Sequence, residues 1–248
     1  MRLTVLGAGP AYTDREGATG ASYLVSDGPT HLLLDLGQGS LPRLFALIDP
    51  VDLSAVAISH LHPDHYIDLV PLRHYLRYEH EPPRRVRVLG PGGLGERLDA
   101  LHDQPGFSAE ALDTEQLGTE RRVIGSLRLR AGLVLHTEES YAMRVAPVAG
   151  GPGLVYSGDC GRAADLGPLI EPGDTLLTEV SCGPGPIPAG VPHLDGPSVA
   201  GVAAASGAGR VLLTHLQMGY DPDETVASVQ AGYAGPVSFV WPGTVLEV

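Results

Sequence analysis

The sequence predicts a layered α/β protein, in which short strands and helices alternate along one chain. Apolar runs of strand length recur throughout, and several are bounded by glycine or proline. Segments with a helical spacing of apolar residues lie between them. With 248 residues and 43% hydrophobic composition, the chain can bury a core as one domain spanning residues 1–248. This interleaving favours stacked layers over an all-β sandwich or a helical bundle.

Turn residues separate the predicted elements, since 33 glycines and 22 prolines are spread along the chain. In chain order the predicted strands are 3–6, 21–25, 31–35, 55–58, 86–89, 126–135, 141–145, 154–157, 175–177, 211–214 and 237–240. The predicted helices are 40–48, 66–79, 93–103, 162–169, 196–206 and 222–231. The second helix has one broad apolar face, and the fifth follows a capping Asp195 with Pro197 in its first turn.

Composition limits the kinds of partner. The formal net charge of −13 argues against a large nucleic-acid interface. No apolar run approaches the roughly 20 residues of a membrane span, and the first residues lack the core of a secretory signal. We therefore expect a cytoplasmic protein, in which Cys160 and Cys182 are free thiols. Two groups of arginines could each form a basic patch, although solvated strand faces are the more ordinary interpretation: Arg84, Arg85 and Arg87, and Arg121, Arg122, Arg128 and Arg130.

The densest group of potential metal ligands lies between His60 and His65, where the sequence reads His-Leu-His-Pro-Asp-His. This segment follows the predicted strand 55–58 and precedes a helix, so it occupies a tight turn at a strand end. Imidazole and carboxylate groups on one turn suit a borderline cation such as zinc. A solvated, histidine-rich turn is the alternative, and the candidates further along the chain argue against it.

Three further polar residues, His136, Asp159 and His215, each follow the end of a predicted strand. Any one alone would more often cap a turn or accept a hydrogen bond than bind a metal. If these strands are neighbours in sheets, their ends meet at one edge, where α/β folds place their sites. Together the candidates predict a metal site of seven residues: His60, His62, Asp64, His65, His136, Asp159 and His215.

This set resembles the ligand pattern of the metallo-β-lactamase superfamily, and the resemblance covers nearly the whole chain. It implies a four-layer αββα sandwich, with two mixed β-sheets packed face to face and helices outside. It also implies two divalent metal ions, zinc by default, although manganese or iron suits the same donors. His60, His62 and His136 would hold one ion and Asp64, His65 and His215 the other, with Asp159 bridging them. Asp35, in the motif Asp-Leu-Gly-Gln-Gly, would not bind metal itself but would hold the metal ligands in position.

Within the superfamily the chain is most similar to the ribonuclease Z-like phosphodiesterase branch. Segments 6–10, 20–24, 136–141, 156–159, 178–181 and 213–216 carry that similarity. In that branch the residues that match Glu179 and His193 form a catalytic pair beside the metals. A helix cap is the competing interpretation of His193, because it stands shortly before a predicted helix.

The tRNA-processing enzymes of this branch commonly carry a tRNA-binding arm in the interval that corresponds to His136–Asp159. Here that interval holds only two predicted strands and a glycine-rich turn, so the chain resembles the relatives without the arm. The resemblance therefore implies hydrolysis of small anionic phosphodiesters or cyclic nucleotides through a metal-bridging hydroxide. Asp64, Glu179 and His193 would take part in catalysis, and the chain would form a homodimer.

Three alternatives remain. Carboxylic-ester, lactone or thioester hydrolysis could use the same metals, because a hydroxide attacks carbonyl groups equally well. A tRNA 3′-processing endoribonuclease of the ribonuclease Z type is the second alternative, although the missing arm and the negative charge disfavour nucleic acid. A non-catalytic metal-binding protein is the third, and the complete ligand set argues against it.

Overall fold

The computed structural model describes residues 1–248, and its strands form two sheets of seven strands each. The first sheet contains β1 (Arg2–Gly7), β2 (Ser22–Asp27), β3 (Thr30–Leu34), β4 (Ala55–Ala57), β5 (Val86–Gly90), β6 (Leu112–Gln116) and the last strand, β14 (Val245–Glu247). The second contains β7 (Arg122–Ile124), β8 (Leu127–Leu133), β9 (Tyr141–Pro147), β10 (Leu154–Tyr156), β11 (Thr175–Glu179), β12 (Arg210–Thr214) and β13 (Val237–Phe239).

Both sheets are mixed in the same way. In the first, β14, β1, β2 and β3 pair antiparallel, and β3 to β6 pair parallel. In the second, β7 to β10 pair antiparallel, and β10 to β13 pair parallel. Parallel neighbours end at a common edge, so each sheet presents several strand ends on one side.

Six helices accompany the sheets: α1 (Leu41–Phe45), α2 (Pro63–Tyr66), α3 (Leu69–Tyr78), α4 (Leu94–Leu101), α5 (Gly196–Ser206) and α6 (Pro222–Gln230). Alternate side chains of the strands enter different cores, as the two-residue period of a strand requires. One core lies between the sheets. A second packs the first sheet against α1, α3 and α4, and a third packs the second sheet against α5 and α6. The four-layer αββα architecture predicted from the sequence is therefore confirmed.

Some predicted elements differ from the observed ones. The predicted helix 162–169 is wrong, because only a 3-10 turn at Ala163–Asp165 forms there. Pro168 has no backbone N–H and disfavours helical geometry at the residue before it, which explains the early end. The predicted helix 66–79 is divided into α2 and α3. The strands β6, β7 and β14 were not predicted, and β6 shows no alternating pattern because four of its five residues are exposed.

Helix α2 is held against the first sheet by an unusually close backbone approach. The Leu36 N–H donates to the carbonyl of His65 at 2.7 Å. A Cβ atom on Gly37 would lie 1.9 Å from the carbonyl oxygen of Asp64. Only glycine can occupy this position without displacing the histidine-rich turn.

We predict that Gly37→Ala lowers the free energy of unfolding by roughly 1–3 kcal/mol, because the added methyl overpacks this contact. Gly201→Ala is the matched control, since no atom lies within 4 Å of a Cβ atom there. In helix α5 that change should instead stabilise the protein, by up to about 1 kcal/mol. Chemical denaturation measures both effects, and equal effects of the two changes would contradict the close-contact explanation.

Candidate metal centre

The first group of potential ligands is built around His62, which occupies the N-cap position of helix α2 within the histidine-rich turn. Its Nδ1 lies 3.1 Å from Nε2 of His60 and 3.1 Å from Nε2 of His136. Oδ2 of Asp159 completes the group, at 3.9 Å from the His60 nitrogen and 3.6 Å from the His136 nitrogen. Residues from both sheets therefore converge on one small volume.

The second group faces the other oxygen of Asp159. Asp64 Oδ2 lies 3.6 Å from His65 Nε2 and 3.3 Å from His215 Nε2. Asp159 Oδ1 lies 3.4 Å from the His65 nitrogen and 3.6 Å from the His215 nitrogen. The two oxygens of Asp159 thus face different groups, so this carboxylate lies between them.

These separations fit divalent cations. Tetrahedral ligands at 2.0–2.1 Å from zinc are roughly 3.3–3.4 Å apart, close to the spacings found in both groups. Two buried atoms, His65 Nε2 and Asp159 Oδ1, have no hydrogen-bond partner in the protein. Buried polar atoms are almost always partnered, so both atoms are suited to a ligand that the protein itself does not supply. The clusters are therefore able to bind metal.

Asp35 fixes the orientation of His65 from behind. Its fully buried carboxylate accepts hydrogen bonds from Ser59 N at 2.6 Å, Ser59 Oγ at 2.7 Å and Tyr156 Oη at 2.6 Å. It also bonds Nδ1 of His65 at 2.7 Å, so Nε2 is the nitrogen left for the site. Burial and the nearby Asp35 hold the pKa of Tyr156 well above its usual value, so this phenol remains a donor.

Other ligand candidates are oriented in the same manner. His136 Nδ1 lies 3.0 Å from the carbonyl of Pro192, and His215 Nδ1 lies 3.1 Å from Ser181 Oγ. Sequence reasoning did not identify Ser59, Tyr156 or Ser181. Ser59 could have been suspected from its place beside His60. Tyr156 and Ser181 lie in segments that resemble the family, but nothing in the sequence indicates their hydrogen bonds with Asp35 and His215.

Glu179 and His193 form the pair that the sequence predicts. His193 Nδ1 lies 2.9 Å from Glu179 Oε1 and 3.9 Å from Asp159 Oδ2, which places the ring beside the first ligand group. Glu179 is itself fixed, because it accepts from the backbone of Cys160 at 2.8 Å and of Ser181 at 3.0 Å. The cap of α5 is Asp195 rather than His193, so the competing interpretation of His193 does not hold.

Electrostatics divides the site into neutral and charged groups. Burial, together with the nearby His65, holds the pKa of His60 well below its usual value, so its imidazole is neutral and available as a ligand. Burial acts against ionisation of Asp159, but the surrounding His215 and His65 outweigh it and hold its pKa well below the ordinary value. Burial also disfavours a charged His193, yet the hydrogen bond and charge of Glu179 raise its pKa.

The remaining expectations concern residues near the site. Cys160 and Cys182 are buried and free, as predicted. The interval between His136 and Asp159 consists of β9, β10 and the turn 148–153, so it contains no protruding arm. No helix of this chain combines the length and apolar character needed to cross a bilayer.

The fold and the two ligand groups define a four-layer αββα protein able to bind metal between its sheets. A family model described as the beta-lactamase superfamily domain matches residues 32–216. A Mycobacterium tuberculosis protein is 30% identical over 254 residues, which cover 100% of this chain and 92% of that protein. The chain belongs to the β-lactamase superfamily, as its motifs predict.

Two solved structures illustrate the similarity of fold. YhfI from Bacillus subtilis, a metallo-beta-lactamase fold protein, aligns with a TM-score of 0.88 and 23% identity, covering 100% of this chain and 98% of YhfI. The short form of human tRNase Z aligns with a TM-score of 0.73 and 19% identity, covering 100% and 99% of the two chains.

We predict that Asp35→Asn weakens metal binding about 10–100-fold, the usual cost of losing a partner behind a metal-ligating histidine. An asparagine amide has only one acceptor oxygen, so it cannot accept all four hydrogen bonds that the carboxylate accepts. His65 therefore loses its fixed orientation. Tyr156→Phe removes one of the four hydrogen bonds and should have a smaller effect. Competition with a chromophoric chelator measures both affinities. Unchanged zinc affinity in Asp35→Asn would show that Asp35 does not orient the site.

Proposed function

We propose that this protein is a dinuclear metal-dependent phosphodiesterase that acts on small phosphodiesters or cyclic nucleotides. The observation that carries the proposal is the arrangement around Asp159. Its two oxygens face two ligand groups, and the Glu179–His193 pair lies beside the first of them. This combination offers binding, charge neutralisation and a proton donor at one place.

In this proposal His60, His62 and His136 would hold one divalent ion, Asp64, His65 and His215 would hold the other, and Asp159 would contribute to both sites. Zinc is the default, since the set consists of imidazole and carboxylate donors. A pair of divalent cations supplies Lewis acidity, because it lowers the pKa of water and neutralises charge on phosphoryl oxygens.

The protein's own residues perform the remaining steps. Asp64 orients the attacking water by accepting a hydrogen bond from it. Glu179 holds the Nδ1 proton of His193, which leaves Nε2 to deliver a proton to the departing alkoxide. Because Glu179 raises the pKa of His193, the imidazolium persists to a higher pH than it would for a free histidine.

The surroundings of the site favour small substrates. A cleft of about 980 Å³ opens beside His62, and a cavity of about 310 Å³ adjoins His215. These volumes match those of small-molecule sites, roughly 300–1,000 Å³. Human tRNase Z shares the fold, which supports phosphodiester chemistry. The tight turn at 148–153 and the net charge of −13 argue against tRNA as the substrate.

Substrate panels test this proposal directly. We predict that the zinc-loaded protein hydrolyses bis(p-nitrophenyl) phosphate and cyclic nucleotides faster than a lactone or a thioester. Removal of metal with a chelator should abolish the activity, and added zinc should restore it. Turnover of the carbonyl substrates alone would show that the protein hydrolyses carboxylic esters rather than phosphodiesters. Cleavage of precursor tRNA at a defined 3′ position, at physiological salt, would show that the substrate is tRNA rather than a small phosphodiester.

Two variants separate metal binding from catalysis. We predict that His62→Ala releases metal and abolishes turnover, because it removes a proposed ligand. His193→Ala should lower turnover by roughly 10²–10⁴-fold, the usual contribution of a general acid, while the metal content stays unchanged. Elemental analysis and steady-state kinetics measure the two properties. Loss of metal from His193→Ala would assign that residue to metal binding instead.

A further inference from the structure

Arginines converge on the outer face of the second sheet. Arg128 and Arg130 lie on β8, Arg144 lies on β9, and Arg121 precedes β7. All four line a cavity of about 170 Å³, whose other polar lining residue is Glu171. This concentration of positive charge contrasts with the formal net charge of −13 of the whole chain.

Two of these arginines are direct cross-strand neighbours. Arg130 and Arg144 are paired in the register of β8 and β9, with their side chains on the same face of the sheet. Like charges at directly opposed positions destabilise a sheet. Of the two arginines only Arg144 is neutralised, because Asp174 and Glu171 both form salt bridges with it, at 2.7 and 2.9 Å.

The other three arginines have no carboxylate partner within salt-bridge distance. Arg128 donates to the carbonyls of Pro147 at 3.0 Å and Val148 at 3.1 Å, and Arg130 donates to the carbonyl of Pro168. These contacts position the guanidinium groups without neutralising them. Each guanidinium has five N–H donors, so several donors remain available.

Three arginines on or beside other strands are neutralised. Arg85 pairs with Asp113, and Arg87 pairs with Glu115 at 2.7 Å. Arg122 also pairs with Glu115, at 3.4 Å. Arg2 on β1 and Arg210 on β12 also lack a carboxylate within salt-bridge distance, but neither lines this cavity. The cavity is distinguished by the convergence of three such arginines, Arg121, Arg128 and Arg130, beside the paired Arg144.

We propose that this cavity is an anion-binding site for a phosphate group, separate from the metal centre. Guanidinium groups bind phosphate through paired, charge-assisted hydrogen bonds. The cavity is smaller than the roughly 300–1,000 Å³ of a drug-sized ligand site, so it suits a single phosphate or diphosphate moiety. Arg128 lies about 17 Å along β8 from Leu133, at 3.4 Å per residue, and the strand then leads towards His136 and the metal centre.

Calorimetric titration of the metal-loaded protein with methylenediphosphonate, a non-hydrolysable diphosphate analogue, tests the site. We expect two classes of binding site, one at the metals and one at the arginines. Arg128→Gln/Arg130→Gln should weaken the second class at least tenfold while model phosphodiester turnover stays unchanged. Arg128→Gln alone provides the same test if the double variant is unstable, because this side chain is exposed. An unchanged isotherm in these variants would refute the site.

Arg85→Gln/Arg87→Gln is the charge-matched control, and its isotherm should equal that of the wild type. An equal loss of binding in this control would show non-specific attraction and would also refute the site. Titration with inorganic phosphate and adenosine 5′-monophosphate identifies the source of the phosphate group. Equal affinities for phosphate and the nucleotide indicate a free anion, and tighter binding of the nucleotide indicates a nucleotide ligand. In both cases the binding must be lost in Arg128→Gln/Arg130→Gln. Because binding is measured without hydrolysis, the result does not depend on the proposed phosphodiesterase activity.

Discussion

The buried carboxylate of Asp35 is the interaction on which the site depends. It stands at the end of β3 in the first sheet, yet it accepts a hydrogen bond from Tyr156 at the end of β10 in the second. A buried carboxyl group is costly unless hydrogen bonds satisfy it, and four donors surround this one. The same bonds that make its burial possible join the two sheets and aim His65 at the site.

The parallel halves of the sheets explain why so many polar residues can meet there. Asp35 follows β3, Asp159 follows β10 and His215 follows β12, all at strand ends of the common edge. Asp35 and His215 both have φ of +57°, a left-handed conformation that is unfavourable for side chains other than glycine. Such strain persists where the surrounding structure imposes it. Here it lets the backbone turn into the site immediately after β3 and after β12.

Much of this arrangement could be predicted from the sequence, because the ligand candidates occur at the ends of recognisable apolar runs. His136, Asp159 and His215 are distant in the chain, but the rule that neighbouring strands end together was enough to place them near the histidine-rich turn. Tyr156 could not be found in this way. Its hydroxyl matters only through a contact with Asp35 across the two sheets, and one sequence does not reveal how sheets pack.

The errors have similar physical causes. The segment 162–169 has helical composition, but Pro168 and the flanking glycines allow only a single turn. Strand β6 is an edge strand whose pairing with β5 comes from backbone hydrogen bonds, so its exposed side chains carry no periodic signal. The sequence offered a basic patch at Arg121, Arg122, Arg128 and Arg130 as one interpretation, but it does not show that Arg144 joins this group or that Arg122 faces Glu115.

Electrostatic range connects the proposed function with the proposed anion site. Charges in solution are screened within about 8 Å at physiological salt, so a small anion responds to local charge rather than to the net charge of the protein. A long polyanion contacts many patches and experiences the predominantly acidic surface. A chain with a net charge of −13 can therefore disfavour nucleic acid while two local positive regions, the proposed dication pair and the arginine cavity, attract small phosphates. If both proposals hold, the distribution of charge would select for the size of the substrate as well as for its sign.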